Sequence, residues 1–361
     1  MHWEDKDGQG SRRKIFTCLR SLAPGSPLRE GLENIMKAKT GALIVIGDSP
    51  QVLELVEGGF LINCPYTPAS LYELAKMDGS IILSHDGQRI LYANTQLVPE
   101  PSIPSEETGI RHRTAERVAR QTGEMVISIS QRRGVITIYQ GTIKYTLRDI
   151  ATILSKANQG LQTLEKYKVV IDKALTNLTA LEFEDLVTVF DVTKILQRIE
   201  MFTRMVYEMD QYIIELGKEG RLVTMQLTEL TDNVEEQAYT VIEDYLTIQE
   251  RSVLQVREEI RHISNDIPDL VAIAKTLGYG TNIGVLDMSV SARGYRILEK
   301  VPRLPRQVVH NVVETFGGLQ NIMSASVEEL DEVEGIGEVR ARAIKEGLRR
   351  LREQVLLDRD V

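Results

Sequence analysis

The sequence "SIILSHDGQRILYA", residues 80–93, decides the class of fold in the N-terminal part of the chain. Two apolar runs flank the dipeptide Asp86-Gly87, and this combination is a strong short-range signal for a β-hairpin. A second hairpin is predicted where "EMVISIS" (124–130) and "GVITIY" (134–139) flank a turn. This part of the chain therefore contains antiparallel strands.

Helical signals alternate with these strands. Pro27 and Pro68 each follow a hydroxyl residue and stand at the first position of a predicted helix. Between them, "ALIVI" (42–46) has the continuous apolar pattern of a buried strand. We therefore predict that residues 1–145 form an α/β domain with a mixed central sheet.

The pattern changes in residues 146–288. No proline occurs between Pro104 and Pro268, and apolar residues from Ile150 to Leu178 recur every three or four positions. This spacing predicts a long amphipathic helix, and two further helical patterns cover 199–213 and 227–241. The region is predicted to be an all-α spacer whose apolar seams are ordinary core.

Residues 289–361 hold two related units and are predicted to form a C-terminal all-α domain. In the second unit, Gly335, Ile336 and Gly337 join two helices, and the cations Arg340, Arg342 and Lys345 follow. Glycine exposes backbone N–H groups at such a turn, and these can bind phosphate oxygens without reading a base. The alternative is a helical hairpin that uses glycine only for a sharp turn. The spacing resembles the helix–hairpin–helix motif of DNA repair and recombination proteins, which implies contact with the DNA backbone.

Composition limits the possible functions. The 361 residues are 42% hydrophobic and 26% charged, as in ordinary globular proteins, and the net charge is −9. Any contact with nucleic acid must therefore come from a local patch. The N-terminal sequence has no apolar core for a signal peptide, and the two cysteines, Cys18 and Cys64, lack metal or redox spacing. We expect a cytoplasmic protein.

The stretch "TGIRHRTAERVARQTG", residues 108–123, places two arginines and a histidine at the start of a predicted helix. A helix N-terminus is electropositive, so each cation there costs roughly 0.3–1 kcal/mol at low salt. A solvated charge run is the simpler interpretation. The position behind Gly109, however, lets Arg111, His112, Arg113 and the Thr114 hydroxyl converge on one polyanion such as a triphosphate.

Two further features accompany the basic run. Asp78 lies in "MDGSIIL" (77–83), before a strand, where a carboxylate can reach solvent, a metal or a ligand. Asp-Gly is also a common turn dipeptide, so this signal alone is weak. Ser130 ends a predicted strand.

The sequences "LYELAKMDGSIILS", "ILYANTQL" and "TGIRHRTAERVARQTG" resemble the diadenylate cyclase domain. With the helical middle and the C-terminal hairpin, residues 20–361 resemble the bacterial DNA integrity scanning family. The Asp-Gly and Arg-His-Arg elements occur in the expected order. Ser80 stands where the family usually has alanine, and we expect its small hydroxyl to be tolerated.

The resemblance implies that two ATP molecules condense into cyclic di-AMP and pyrophosphate. It implies that Asp78 is the catalytic carboxylate and binds Mg²⁺ or Mn²⁺ near the ribose 3′-hydroxyl. The implied ATP-binding residues are Gly79, Leu97, Ile110, Arg111, His112, Arg113, Thr114 and Ser130. Attack of a 3′-oxygen on an α-phosphorus needs a carboxylate and a divalent metal, and the departing pyrophosphate needs cations.

The resemblance also implies partners. Two nucleotides must face each other, which two protomers about a two-fold axis provide. A homo-octamer is implied, with paired cyclase domains and outward DNA modules that associate with the nucleoid. Branched DNA is expected to suppress synthesis. The alternative is a non-enzymatic scaffold that binds DNA junctions and senses nucleotide. A nuclease or ligase subunit lacks support, since neither clustered carboxylates nor an adenylylation lysine motif occurs.

Overall fold

The computed structural model describes residues 19–248, 251–264 and 266–359. Cys18 and the N-terminal segment for which we expect no signal peptide lie outside these residues. Cys64 is a free, half-buried thiol. Within the described ranges, no helix combines the length and apolar character needed to cross a membrane.

The chain divides into two compact units. The first extends to Asn158 and also contains Asp210–Thr224. The second consists of Gln159–Met209 and the chain from Met225 onwards. This division groups residues that pack compactly together. The domain boundaries after residues 145 and 288 were predicted from changes in the sequence pattern, and they stay predictions.

The first unit is an α/β structure. In chain order its helices and strands are α1 (Pro27–Lys37), β1 (Ala42–Ile46), α2 (Pro50–Leu53), β2 (Val56–Glu57), β3 (Phe60–Pro65), α3 (Pro68–Leu74), β4 (Ser80–Leu83), β5 (Arg89–Leu97), α4 (Ile110–Thr122), β6 (Met125–Ser130), β7 (Val135–Gln140) and β8 (Ile143–Thr146).

The strands form one eight-stranded mixed sheet in the order β2-β5-β4-β1-β6-β7-β8, and β3 also pairs with β5. β1 and β4 are parallel, while the other pairs are antiparallel. The two hairpins predicted from the sequence are confirmed as β4–β5 and β6–β7. Ser26 and Thr67 cap α1 and α3 by accepting backbone N–H groups, and each helix has proline in its first turn.

Helices cover both faces of the sheet. One face packs Leu32 and Ile35 of α1 and Leu71 of α3 against the strands. The other packs Ala115 and Val118 of α4. Alternate residues of a strand point to opposite faces, and all five residues of β1 are buried because both faces are covered. The predicted mixed α/β domain is confirmed.

The second unit is helical. It contains most of α5 (Ile150–Glu184), α6 (Val189–Leu216) and α7 (Arg221–Thr231), and then α8 (Val234–Tyr245), α9 (Val253–Arg261), α10 (Leu270–Leu277), α11 (Tyr295–Leu298), α12 (Arg306–Phe316), α13 (Leu319–Ser324), α14 (Val327–Asp331) and α15 (Glu338–Arg359). A short 3₁₀ turn covers Ile283–Asp287, and another, Gly217–Gly220, belongs to the first unit.

The predicted long helix is confirmed as α5, but the pattern at 227–241 is not one helix. Asn233 has φ +61°, so the chain leaves the right-handed helical region between α7 and α8. The apolar spacing continues across this break because both helices bury one face. Periodicity alone therefore did not reveal the interruption.

Buried charges fix α11 within the second unit. The Asp244 carboxylate accepts the backbone N–H groups of Gly294, Tyr295 and Arg296 at 2.7, 2.8 and 3.0 Å. The Arg296 guanidinium pairs with the buried carboxylate of Glu182 on α5. The N-terminus of α11 is thus satisfied in the interior, where an unpaired charge would be very costly.

Candidate functional site

The Asp78-Gly79 turn lies between α3 and β4 at one edge of the sheet. β4 runs parallel to β1, and β6 runs antiparallel to β1. The starts of β1 and β4 and the end of β6 therefore meet at this edge. Continuing the strand registers by one or two residues places Asp78, Gly41 and Ser130 in one row.

Gly79 is required by a close backbone contact. A Cβ atom at this position would lie 2.5 Å from Cα and 2.6 Å from the carbonyl carbon of Asn94. Asn94 has φ +54° and lies where the register between β4 and β5 shifts. This bulge presses the β5 backbone against the turn, and only glycine leaves room for it. The Asp78 side chain next to it is fully exposed.

The start of α4 faces this turn. Nη2 of Arg111 lies 3.7 Å from Oδ1 of Asp78, and the Arg111 side chain is about one-third exposed. Its guanidinium lies directly over Gly41, where any side chain would collide with Nη1. Gly109 is the N-cap of α4 without a side-chain cap, so the first N–H groups of the helix point at the same region. A cation, free N–H groups and a carboxylate therefore surround one exposed space.

The other arginines of the basic run contact the preceding loop. Nε of Arg113 donates to the Glu107 carbonyl at 3.3 Å. Nε of Arg117 donates to the Ile103 carbonyl at 2.9 Å. Further along the helix, Arg120 donates to the Pro104 carbonyl and to the Glu116 carboxylate, at 3.1 and 2.7 Å. These contacts account for several cations without a ligand and fix the loop along α4. Arg111 is the one whose charge faces Asp78.

His112 points toward the sheet. Its Nδ1 lies 3.0 Å from the Tyr139 hydroxyl, while Nε2 is buried without a hydrogen-bond partner in the described structure. Burial lowers the pKa of His112, and the nearby cations Arg133, Lys144 and Arg111 lower it further, although Glu107 opposes them. His112 is therefore neutral near pH 7.

The remaining predicted nucleotide residues lie around this edge in different environments. Ile110 is 82% exposed at the first position of α4. Thr114 is half-buried one turn later, and Ser130 is half-buried at the end of β6. Leu97 is buried at the end of β5 and packs in the same cluster as Ala115 of α4. Leu97 thus supports α4 from below.

Gly41, Asn94, Tyr139, Glu107 and Lys144 are contact residues that sequence reasoning missed. Gly41 precedes a buried strand, which is a signal that could have been used, because glycine there leaves space above the sheet edge. Nothing in the local pattern marks the other four, since each contacts a residue far away in the chain.

The Ser80 hydroxyl is buried in the sheet. Its Oγ lies 2.9 Å from the Thr95 carbonyl oxygen and 2.7 Å from the Thr95 hydroxyl. The Thr95 hydroxyl is also 3.2 Å from the Ser80 carbonyl. The extra hydroxyl is therefore paired within the protein, next to the site.

We expect Ser80→Ala to lower stability by about 1 kcal/mol, the typical net value of a hydrogen bond. The loss stays small because the Thr95 hydroxyl can still donate to the carbonyl of residue 80. Thermal unfolding measures the stability, and the rate of the reaction that the resemblance implies should stay within about twofold of wild type. A tenfold loss of synthesis would mean that this hydroxyl contacts the nucleotide.

The residues at this edge fit a divalent metal bound together with a nucleotide. Among the described residues, no three His, Cys, Asp or Glu side chains gather into a metal-binding group. Mg²⁺ typically binds one or two carboxylates together with substrate phosphates and water. The exposed Asp78 carboxylate suits that donor set.

The C-terminal module contains the predicted glycine hairpin. Gly335 has φ +85°, Ile336 is buried, and α15 begins at Glu338. At the start of α15 the Arg340 N–H donates to the Gly337 carbonyl at 2.8 Å, while the N–H groups of Glu338 and Val339 precede this first bond and can bind an anion. Arg340 donates to the Gly335 carbonyl at 2.5 Å and so lies beside the turn.

The other two predicted DNA-binding cations differ in placement. Arg342 is exposed and pairs with Glu338 one turn earlier. Lys345 donates to the carbonyls of Met323 and Ala325 at 2.8 and 2.6 Å, and so satisfies the end of α13. Lys345 can reach DNA only if these bonds break.

The first hairpin repeats the geometry of the second with different residues. Arg303, 32 positions before Gly335, has φ +64°. Pro305 precedes α12 and has no N–H group to offer. Arg306 pairs with Glu243 and Glu299 at 3.2 and 3.7 Å. The two units are structural repeats, but only the second has a glycine hairpin.

Comparison with protein families gives three matches in chain order. Residues 29–143 match the nucleotide-binding domain of the DisA bacterial checkpoint controller, and residues 147–286 match the linker region of the same controller. Residues 318–347 match the helix–hairpin–helix motif. With the Asp-Gly turn opposite the Arg-His-Arg helix, these matches define the chain as a diadenylate cyclase that carries a helix–hairpin–helix DNA-binding module.

Whole-chain relatives then define the family. The chain is 61% identical to the DNA integrity scanning protein DisA of Carboxydothermus hydrogenoformans, over 94% of this chain and 97% of the relative. It is 56% identical to those of Symbiobacterium thermophilum (99% and 100% covered) and Acetivibrio thermocellus (96% and 96%). The chain belongs to the family of DNA integrity scanning proteins DisA.

Proposed function

We propose that two protomers condense two ATP molecules into cyclic di-AMP across their interface, and that DNA bound at the C-terminal hairpin suppresses this reaction. The observation that carries the proposal is the exposed Asp78 carboxylate 3.7 Å from the Arg111 guanidinium at an uncapped helix N-terminus. A carboxylate suits a ribose hydroxyl and a metal, while a cation and free N–H groups suit polyphosphate.

Each reacting nucleotide supplies one nucleophile and one leaving group. The 3′-oxygen of one ATP forms a bond to the α-phosphorus of the other, and the bond from that phosphorus to the β-phosphate bridging oxygen breaks. The hydroxyl proton passes to water, and pyrophosphate leaves with the electron pair of the broken bond. Two such steps close the ring and release two pyrophosphates.

The residues of the site divide these tasks. Asp78 would hold a Mg²⁺ or Mn²⁺ ion, and that ion would lower the pKa of the ribose hydroxyl. Arg111 and the N–H groups at Ile110 to Thr114 neutralise and orient the phosphates, and Arg113 can join them only if its bonds to the Glu107 and Thr108 carbonyls break. Gly79 lets the Asn94 backbone approach and so fixes the turn that carries Asp78. Leu97 supports this end of α4, and Ser130 contributes a hydroxyl at the opposite side of the row.

A second protomer completes the site. One such edge accommodates one ATP, and formation of cyclic di-AMP requires each 3′-hydroxyl to attack the α-phosphorus of the other ATP. A two-fold axis brings two copies of the site face to face, which fits the full exposure of Asp78. We propose a homo-octamer built from such pairs, and domains at 1–145, 146–288 and 289–361 for cyclisation, spacing and DNA binding.

The DNA site is the hairpin at Gly335–Gly337, with Arg340 and Arg342 beside it. Backbone N–H groups and arginines bind phosphates without sequence preference. The hairpin therefore recognises the structure of the DNA rather than its base sequence. We propose branched DNA as the ligand of this hairpin. We propose that the protein is located in the cytoplasm and associates with the nucleoid.

The test is incubation of the full-length protein with ATP and Mn²⁺, with and without a four-way DNA junction. We expect pyrophosphate and cyclic di-AMP without DNA, and a slower initial rate at saturating junction. A linear duplex of equal length is the control. An unchanged rate with bound junction would contradict the suppression, and no product under any condition would favour the non-enzymatic scaffold.

A further inference from the structure

A hydrogen-bonded network lies behind the phosphate-facing end of α4. The Tyr139 hydroxyl on β7 lies 3.0 Å from Nδ1 of His112 and 2.7 Å from Oε1 of Glu107. Nζ of Lys144 on β8 pairs with the same oxygen of Glu107. Glu107 and Tyr139 are largely buried, while Lys144 is half-exposed. We call His112, Tyr139, Glu107 and Lys144 the His112 network.

The network has one consistent arrangement of protons. Burial alone would raise the pKa of Glu107, but the hydrogen bonds from Lys144 and Tyr139 and the charge of Lys144 lower it overall. Glu107 is therefore ionised and accepts the proton of the Tyr139 hydroxyl. That hydroxyl can then only accept from His112, so Nδ1 of the neutral imidazole carries the proton. This fixes the ring inward and away from the phosphate space.

The strand that supplies Lys144 is held on its opposite face by the helical segment Asp210–Thr224. Adjacent strand residues point to opposite faces, so Tyr145 lies on the other side of β8 from Lys144. The Tyr145 hydroxyl donates to Oε1 of Glu215, near the end of α6. The Glu215 side chain is more than nine-tenths buried, and its Oε2 has no hydrogen-bond partner in the described structure.

Other contacts strengthen this attachment. Ile214 packs in the same apolar cluster as Tyr145. The Lys218 backbone N–H donates to the Pro24 carbonyl at 3.3 Å. Gly217 has φ +50° and lies close to the Pro24 backbone. The end of α6 is therefore built into the cyclase unit and sits against β8.

We propose that Lys144, Glu107 and Tyr139 are positioning residues that hold His112 and thereby Arg111, and that β8 links them to the linker through Tyr145 and Glu215. The proposal rests on the proposed phosphate site at the start of α4. It gives the DNA-dependent suppression a physical route, because a displacement of the α6 end would shift β8 and loosen the end of α4. Small misplacements of binding groups lower rates strongly.

Tyr139→Phe tests the positioning step. It removes one hydroxyl and keeps the ring, and we expect kcat to fall about tenfold. In ¹⁵N-histidine NMR, His112 should be protonated at Nδ1 in the wild type and should move to the Nε2 tautomer in the variant. Tyr92→Phe is the control, because Tyr92 is half-buried in the same sheet without a hydroxyl hydrogen bond among the described residues. Lys144→Met should also lower kcat. Lys144→Arg keeps the positive charge that pairs with Glu107 and should retain the wild-type kcat.

A double-mutant cycle tests the link through β8. Tyr145→Phe removes the bond to Glu215 and should lower kcat about threefold, on the scale of indirect coupling. If the link exists, adding Tyr145→Phe to Tyr139→Phe lowers kcat no further, because the positioning is already lost. Multiplying effects would contradict the link. Melting temperatures within about 5 °C of wild type show that each variant folds.

Arg111→Ala distinguishes failure of this inference from failure of the proposed site. If Arg111→Ala retains wild-type synthesis, the proposed phosphate site is wrong. If Arg111→Ala loses synthesis while Tyr139→Phe keeps both the Nδ1 tautomer and wild-type kcat, the site stands and the positioning role is overturned.

Discussion

We expect Asp78→Asn to abolish cyclic di-AMP synthesis and to lower the initial rate by about a thousandfold or more, because a group that acts in the transition state is lost. The amide keeps the size of the side chain but loses its charge, and it cannot hold a divalent metal as a carboxylate does. Asp78 is fully exposed, and within the described part of the chain its one ion pair is the long contact with Arg111. The fold therefore has no need of it.

Released pyrophosphate and cyclic di-AMP are measured with ATP and Mn²⁺. Glu54→Gln, the same carboxylate-to-amide change at an exposed position of the same unit, is the matched control and should behave as wild type. Asp78→Asn should keep its melting temperature and its affinity for a DNA junction. Wild-type turnover in this variant would remove Asp78 from the reaction.

We expect that replacing Arg340 and Arg342 together with alanine weakens junction binding by about tenfold to a hundredfold at low salt. Each arginine beside the hairpin neutralises a phosphate, so the plot of log affinity against log salt should flatten by about 0.9 per lost contact. Both side chains are exposed on α15, and neither belongs to the apolar core. Binding is measured by fluorescence anisotropy at several salt concentrations.

The matched control removes two exposed cations of α5, Lys166→Ala with Lys173→Ala, and so changes the net charge equally. It should leave the salt slope unchanged. In the hairpin variant, a junction concentration that suppresses the wild type should no longer slow synthesis. Equal losses of affinity in both variants would mean that overall charge, rather than the hairpin, holds the DNA.

Local signals predicted most of the fold. The hairpin signals at Asp86-Gly87 and at 131–134, and the capped helix starts at Pro27 and Pro68, depend on residues next to each other in the chain. Such signals survive folding because their cause is local sterics and hydrogen bonding. The break at Asn233 escaped prediction because apolar spacing continues on both sides.

The partners of individual charges could not be predicted. The sequence placed several cations at one helix, but only the folded chain separates Arg111, which faces Asp78, from Arg113 and Arg117, which donate to loop carbonyls. Lys345 likewise joins a basic helix in the sequence and satisfies carbonyls of α13 in the structure. These contacts join residues from separate elements, so no local period reports them.

The same limit applies to the close packing at the site. The glycine at position 79 could be read as a turn residue, whereas its actual cause is the Asn94 backbone on the neighbouring strand. Tyr139 looked like an ordinary strand residue, and its role follows from its contacts with His112 and Glu107. Tertiary contact, rather than residue type, distinguishes these positions.

A crystal structure of the protein with a non-hydrolysable ATP analogue and Mn²⁺ tests the central claim most directly. We predict the triphosphate at the start of α4 within hydrogen-bonding distance of Arg111, and the ribose 3′-hydroxyl near an Asp78 carboxylate, in two copies that face each other. A nucleotide bound elsewhere, or Asp78 remote from every ribose, would contradict the account.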